Sequence, residues 1–265
     1  MEIISKVSLG SRMDQVYIPK NRIGFDIGNY VIIKPLNLEI EKKPLEKIYF
    51  YRIKNIVSIK LEIINEVFII IDKYVQNYEN IIITGSFLEE GFHFNDIDVL
   101  VLTEDKISLN IISLDVKKKT GINGHILVLS SKALVRGLEA DPLYQMMLSR
   151  CVAQKRFIYK TKPALNYKLL DLHLFKSKTL LDNFDILNGR EKYNLVRNLV
   201  AIYLYLNKKK ITVESVDGEI KNIFGVNVLK IKDNVLDKKD FIRKYKLIYN
   251  KSFNLILRGI EHGSK

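Results

Sequence analysis

The stretch that decides the fold is residues 84–100, which read TGSFLEEGFHFNDIDVL. Gly85 and Ser86 follow an apolar run, so they predict a tight turn whose backbone N–H groups and hydroxyl can hold phosphate oxygens. Asp96 and Asp98 are one residue apart in the next apolar run, and β-strand alternation places both carboxylates on the same face. Two neighbouring carboxylates repel each other unless a cation lies between them.

This combination of residues indicates a particular chemistry. Mg²⁺ prefers hard oxygen ligands and usually takes one or two carboxylates together with substrate phosphates. A phosphate-holding turn beside such a pair is the minimum apparatus for phosphoryl or nucleotidyl transfer. The alternative interpretation is a solvated strand start, but the upstream turn and the apolar residues after Asp98 favour the site. The loop residues Glu89 and Glu90 are expected to be solvated, and His93 is expected to be a loop residue rather than a metal ligand.

The surrounding residues, 60–160, predict an α/β core with a small mixed sheet. Apolar residues at i, i+3 and i+4 predict a helix over 60–78, and apolar runs predict strands on either side of the turn. Asp141 followed by a proline predicts the N-cap of a later helix. The remaining predicted elements are strands over 81–84, 96–102 and 124–129, a helix over 107–119, and a short closing strand over 156–159.

The two flanking segments differ from this core. Residues 1–40 predict a short β module, with strands over 6–9, 15–19 and 30–34 between Gly and Pro residues. Residues 164–265 have helical apolar spacing over 169–181, 192–206 and 239–257, and predict a basic helical domain. We therefore expect an α/β (α+β) protein in three parts.

The charge is concentrated near the end of the chain. The net charge is +13, and residues 160–265 contribute 22 Lys and Arg against 11 Asp and Glu, whereas residues 1–159 contribute 21 against 19. Such an excess favours an anionic partner, and tyrosines among the basic residues could stack nucleic-acid bases. These tyrosines are Tyr203, Tyr205, Tyr245 and Tyr249. The alternatives are a solvated lysine-rich helical face, or a cleft in which Arg190, Lys192 and Arg197 hold a triphosphate or acceptor.

Composition excludes several classes of protein. With 47% hydrophobic residues among 265, the chain has enough apolar material for a core, which excludes a disordered protein. Cys151 is the single cysteine, so neither an internal disulfide framework nor a zinc site with several thiolates can form, and we expect it to be buried. No apolar run approaches the roughly 20 residues of a membrane span. The sequence predicts a cytoplasmic protein with no membrane association.

The Gly85-Ser86 turn and the acid-apolar-acid strand resemble the nucleotidyltransferase superfamily that includes DNA polymerase beta and kanamycin nucleotidyltransferase. The resemblance covers about residues 61–160. It implies that Asp96 and Asp98 are catalytic and bind Mg²⁺ (or Mn²⁺), and that Gly85 and Ser86 contact the triphosphate of an NTP such as ATP. Members often carry a third acid on the next strand. This sequence has His125 there, which is either a base or a polar strand-end residue.

A second resemblance lies near the N-terminus. Residues 11–20 read SRMDQVYIPK and residues 28–33 read GNYVII, which is similar to the AbrB-like swapped-hairpin fold. That resemblance implies a homodimer that often binds DNA, with basic residues at Lys6, Arg12, Lys20 and Arg22. The alternative is a β-ribbon packed on the catalytic domain.

Three functions follow as hypotheses. The first is a Mg²⁺-dependent nucleotidyltransferase that moves a nucleoside monophosphate from an NTP to an unidentified acceptor, such as RNA or a protein. The second is a DNA-binding regulator, or antitoxin-like protein, whose transferase domain senses nucleotide with weak or no activity. The third is an RNA-binding protein with an inactive site, for which the basic C-terminal region argues.

Overall fold

The computed structural model describes residues 7–11, 14–18, 27–33, 47–92, 94–159 and 161–263, and the chain divides into two units, Met1–Pro44 and Leu45–Lys265. In the first unit, β1 (Val7–Ser8) pairs antiparallel with β2 (Gln15–Val16). These two strands lie within the predicted strands 6–9 and 15–19. The third prediction is wrong for residues 30–33, which form no strand in the described part of the chain. Lys6, Arg12, Lys20 and Arg22 lie outside the described residues.

The second unit contains a five-stranded mixed sheet, so the α/β prediction is confirmed. Its strands are β3 (Tyr49–Tyr51), β4 (Asn80–Thr84), β5 (Asp96–Leu102), β6 (Asn123–Leu129) and β7 (Cys151–Ala153). The order across the sheet is β3-β7-β4-β5-β6. Strands β5 and β6 pair in parallel, and every other neighbouring pair is antiparallel. The central strand β4 is buried along its whole length.

Helices cover both faces of this sheet. On one face, α1 (Ser58–Tyr74) and α2 (Leu109–Thr120) pack on a layer that includes Ile81, Ile83, Ile97 and Val99. On the other face, α3 (Ser131–Ala140) and α4 (Pro142–Ser149) pack on Ile82, Leu100 and Leu102. Because side chains alternate along β5, Asp96 and Asp98 lie on the second face, in line with Leu100.

Two predictions about this part of the chain need correction. The closing strand is Cys151–Ala153 rather than 156–159, where Phe157 instead exchanges backbone hydrogen bonds with the Tyr51 hydroxyl. Three fully buried residues give no alternation, so β7 has no periodic pattern by which to predict it. Helix α3 was also not predicted, whereas the Asp141 N-cap of α4 is confirmed, since its carboxylate accepts from the Leu143 N–H.

The remainder of the second unit is helical, as predicted. The helices are α5 (Tyr167–Ser177), α6 (Thr179–Asp182), α7 (Gly189–Leu206), α8 (Val213–Phe224), α9 (Val228–Lys232) and α10 (Lys238–Gly263). They surround an apolar core to which Leu170, Val196, Phe224 and Tyr245 belong. Helices α8 and α9 were not predicted. Within the described part of the chain, no helix is both long enough and apolar enough to cross a membrane.

Candidate functional site

The turn after β4 lies directly against the carboxylate strand. Thr84 pairs with Asp98 in the antiparallel ladder, and the chain then turns at Gly85, whose φ of 84° and ψ of −164° belong to a region that glycine alone adopts readily. A Cβ atom at position 85 would overlap Asp98 Oδ2 and lie 3.1 Å from its Cγ. Glycine is therefore required here, both for the backbone conformation and for the approach of the carboxylate.

The two aspartates lie on one face at the N-terminal end of β5, where both are partly exposed to solvent. Ile97 and Val99 point into the core between α1 and β5, so Asp96 and Asp98 project from the opposite face and stay partly exposed. The Asp98 side chain is 40% exposed. Among the residues that the structure describes, no group of three or more His, Cys, Asp and Glu is arranged to hold a metal ion. A cation here would need ligands from substrate phosphates and water, which is how Mg²⁺ is commonly held.

His125 lies beside this pair. The parallel register places it opposite Asp98, and its Nδ1 is 3.0 Å from Asp98 Oδ1. The imidazole is 72% exposed. Strand β6 reads NGHILVL and has no carboxylate, so His125 holds the position that the resemblance gives to a third acid.

The loop that joins the turn to Asp96 is anchored by charged side chains. Glu89, which we expected to be solvated, accepts from Arg150 Nη2 at 3.1 Å and from Lys232 Nζ at 2.9 Å, and its side chain is only 30% exposed. Burial alone would raise the pKa of Glu89, but the hydrogen bonds and charges of Lys232 and Arg150 outweigh it and hold the pKa below the ordinary value. The prediction for Glu89 was wrong because both partners are distant in sequence. His93 lies outside the described residues.

Lys60 holds the same loop from the side of α1. It is 2% exposed, its Nζ donates to the Glu89 carbonyl oxygen at 2.6 Å, and it lies 5.3–5.5 Å from the ring centres of Phe87, Phe92 and Phe94. Burial lowers the pKa of Lys60, and the Glu89 charge offsets part of that effect. A cavity of about 270 Å³ borders Lys60 and residues 88–91. It lies beside the loop and includes neither aspartate.

The sequence contained a sign of this buried lysine. Lys60 precedes Ile64 by four residues and so lies on the apolar face of α1, where an exposed lysine would be out of place. No comparable pattern marks Arg150 or Lys232, which lie at the end of α4 and in α9.

The three basic residues predicted to face a cleft have different positions. Arg190, in the first turn of α7, is exposed and has its Nη1 3.3 Å from Asn95 Oδ1, next to Asp96. Lys192 is buried, where it donates to Asn234 Oδ1 at 2.6 Å, so the prediction is wrong for it. Arg197 lies over the ring of the buried Tyr193. Cys151 is buried, as predicted, and burial raises its pKa to about 12, so the thiol stays protonated and unreactive.

No protein-family model matches the chain, and comparisons with curated proteins and with solved structures likewise found no match. The function must therefore be inferred from the chemistry of the site itself.

Proposed function

We propose that the chain is a metal-dependent nucleotidyltransferase. The observation that carries the proposal is the contact between the Gly85 turn and the Asp98 carboxylate, with Asp96 on the same face of β5. The two parts of the sequence pattern, a phosphate-holding turn and a carboxylate pair, are thus neighbours in space. The spacing of the pattern, which resembles the nucleotidyltransferase superfamily, and the mixed sheet that carries it also support the proposal.

Each residue has a chemical role in this proposal. The backbone N–H groups of the turn and the Ser86 hydroxyl bind triphosphate oxygens. Asp96 and Asp98 supply hard oxygen ligands for Mg²⁺ or Mn²⁺, which when bound neutralises phosphate charge and orients the reacting groups. Arg190, held beside Asn95, adds a further positive charge next to Asp96.

The reaction is a substitution at phosphorus. An acceptor oxygen forms a bond to the α-phosphorus of the NTP while the bond to the bridging oxygen of the β-phosphate breaks, and pyrophosphate leaves with that electron pair. The acceptor hydroxyl gives its proton to His125 or to water. His125 lies on the same face of the sheet as Asp98, to which it is hydrogen-bonded, so it can also orient that carboxylate.

A second candidate function is nucleotide sensing without turnover, in a DNA-binding regulator or antitoxin-like protein. The observation in its favour is His125, which replaces a third carboxylate and forms a hydrogen bond to Asp98. In that case the full chain would bind NTP in the presence of Mg²⁺ and release no pyrophosphate. Deletion of residues 1–40 would remove DNA binding and leave NTP binding unchanged.

The test is transfer of label from NTPs. The full chain is incubated with Mg²⁺ or Mn²⁺ and each α-³²P-labelled NTP, in parallel with γ-labelled NTPs, against cellular RNA and protein fractions. Nucleotidyl transfer labels an acceptor from the α-phosphate only. Asp96→Asn/Asp98→Asn should reduce transfer on the order of 10³-fold. Glu104→Gln/Asp105→Asn, which removes two exposed acids just after the other end of β5, is the matched control. Equal transfer by the Asp96/Asp98 variant would rule out the assignment.

A further inference from the structure

The first turns of α10 carry an exposed row of basic side chains at the end of the helical region nearest the candidate site. We propose that this row, formed by Lys239, Arg243 and Lys246 and called here the basic face, binds the sugar–phosphate backbone of a nucleic acid. We further propose that this nucleic acid is the acceptor. The acceptor assignment depends on the proposed function, whereas the binding does not.

Several contacts place the start of α10 near the site. Lys238 Nζ, in the first turn of α10, lies 2.6 and 2.8 Å from the carboxylate oxygens of Asp185, shortly before α7 begins. The first turn of α7 in turn brings Arg190 to Asn95, beside Asp96. From there α10 runs alongside α7, since the Tyr245 hydroxyl reaches the backbone oxygen of Leu195. The N-terminal turns of α10 are therefore at the same end of the helical region as the carboxylates.

Helix α10 carries a large excess of positive charge. The helix contains seven Lys and Arg and two Asp and Glu. Lys239, Arg243 and Lys246 are spaced i, i+4 and i+7, so they lie on one side of the helix about 6 and 4.5 Å apart along its axis. All three are exposed. Arg243 pairs with Asp240 but remains 74% exposed, and within the described residues neither Lys239 nor Lys246 has an ion-pair partner.

The basic face presents charge rather than aromatic rings, since none of its three residues is aromatic. Two of the tyrosines that we expected to stack on bases are buried: Tyr245 is 0% exposed and its hydroxyl donates to Ser177 O, and Tyr205 is 4% exposed. That expectation is wrong for both residues because they complete the helical core. A row of three exposed cations with no aromatic ring among them favours phosphates, which occur every 3.4 Å along each strand of a duplex, over base recognition. Binding should therefore depend on salt and not on sequence.

Binding is tested with the full chain and 5′-fluorescein-labelled 20-nucleotide single strands of mixed sequence, one RNA and one DNA. Fluorescence anisotropy gives Kd as KCl is raised from low to physiological concentration. Lys239→Gln/Arg243→Gln/Lys246→Gln should weaken binding at least about 10-fold at low salt. It should also reduce the magnitude of the slope of log K against log[KCl] by about 2, because each of the three lost phosphate contacts contributes roughly 0.7 to that slope.

The matched control removes the same charge elsewhere. Lys208→Gln/Lys209→Gln/Lys210→Gln changes three exposed lysines at the far end of α7, about 27 Å from its start. Its Kd should change less than about 3-fold. An equal loss of affinity in both triple variants would show that binding depends only on the net charge of the protein, and this would overturn the proposal. The absence of binding at low salt would overturn it as well. Circular dichroism spectra and melting temperatures verify that both variants are folded.

Two further results separate this inference from the proposed function. The Asp96→Asn/Asp98→Asn variant should bind the RNA and the DNA single strand with the Kd of the unaltered chain, because the basic face is intact, although transfer is lost. If the unaltered chain binds nucleic acid through the basic face but labels nothing, the surface stands and the proposed function fails. If the α-³²P label enters protease-sensitive material, the acceptor is a polypeptide and the acceptor assignment is overturned. Similar affinity for RNA and DNA indicates backbone contacts alone, and a preference for RNA indicates contacts to the 2′-hydroxyl.

Discussion

The Gly85 turn and the loop that follows it lie next to each other, but they are held in place in different ways. Gly85 meets Asp98 because β4 and β5 pair with Thr84 opposite Asp98, so backbone hydrogen bonds fix the contact. Glu89, only a few residues further on, depends on the side chains of Arg150 and Lys232, which are 61 and 143 residues away. One region is positioned by strand register and the other by ion pairs from the helices.

This difference predicts how each region responds to change. A contact set by register is tolerant of distant substitutions but intolerant of any atom added between the strands. A loop anchored by partly buried charges should lose stability in moderate steps as each charge is removed, because water can replace part of each interaction. The following substitutions test this contrast, beginning with the largest expected effect.

Gly85→Ala should have the largest effect. The added methyl group would overlap Asp98 Oδ2, and the backbone at position 85 has a positive φ. We expect a loss of about 2–4 kcal/mol in the free energy of unfolding, measured by urea denaturation. We also expect loss of nucleotide transfer, because the carboxylate must move.

Gly121→Ala is the control for the backbone conformation. Gly121 also has a positive φ, of 75°, but a Cβ there would meet nothing within 4 Å. It should cost only about 1 kcal/mol and leave transfer intact. If both variants lose the same stability and both retain transfer, the Gly85–Asp98 contact has no special role.

Glu89→Gln should have an intermediate effect. The amide keeps the shape of the side chain but removes the ion pairs that Arg150 and Lys232 form with Glu89 in a partly buried position. We expect a loss of about 1–2 kcal/mol in the free energy of unfolding. Glu90→Gln, at the exposed neighbouring position, should change it by less than about 0.5 kcal/mol. Equal effects would mean that the ion pairs contribute nothing to stability.

The same contrast explains how much could be predicted from the sequence. Asp96–Leu102 was predicted to the residue, because the acids, the alternation and the preceding turn all lie within a short stretch. The resemblance placed His125 on the next strand in the position of a third acid, and the structure has it opposite Asp98. The role of Glu89 could not be predicted, because it depends on how the end of α4 and the later helix α9 pack against the loop, and no local pattern specifies that packing.

Lys60→Met should have a smaller effect than Glu89→Gln. Methionine has a similar length and fills the space among Phe87, Phe92 and Phe94, and it removes the cost of burying an ammonium group. It also removes the hydrogen bond to Glu89 O. These effects oppose each other, so the free energy of unfolding should change by less than about 1 kcal/mol. Lys73→Met, at a position 67% exposed in the same helix, is the control. A loss above about 2 kcal/mol at Lys60 alone would show that the ammonium is the main anchor.

The smallest expected effect is on the acid side of the pH–stability curve. The folded-state pKa of Glu89 lies below its unfolded value, so between those two values the unfolded chain binds more protons and stability rises with pH. The stabilisation is complete above pH 4.5 and is lost as pH falls through the folded pKa. Asp217 has the opposite sign, because burial raises its pKa more than the Tyr193 hydrogen bond lowers it, and it therefore reduces stability as pH rises above 3.8. The free energy of unfolding is measured by urea denaturation at a series of acid pH values. Its rise with pH should be flatter for Glu89→Gln and steeper for Asp217→Asn than for the unaltered chain. If Glu89→Gln keeps the slope of the unaltered chain, its carboxylate is not held by Lys232 and Arg150 in solution, and the loop is positioned by Lys60 and the phenylalanines instead.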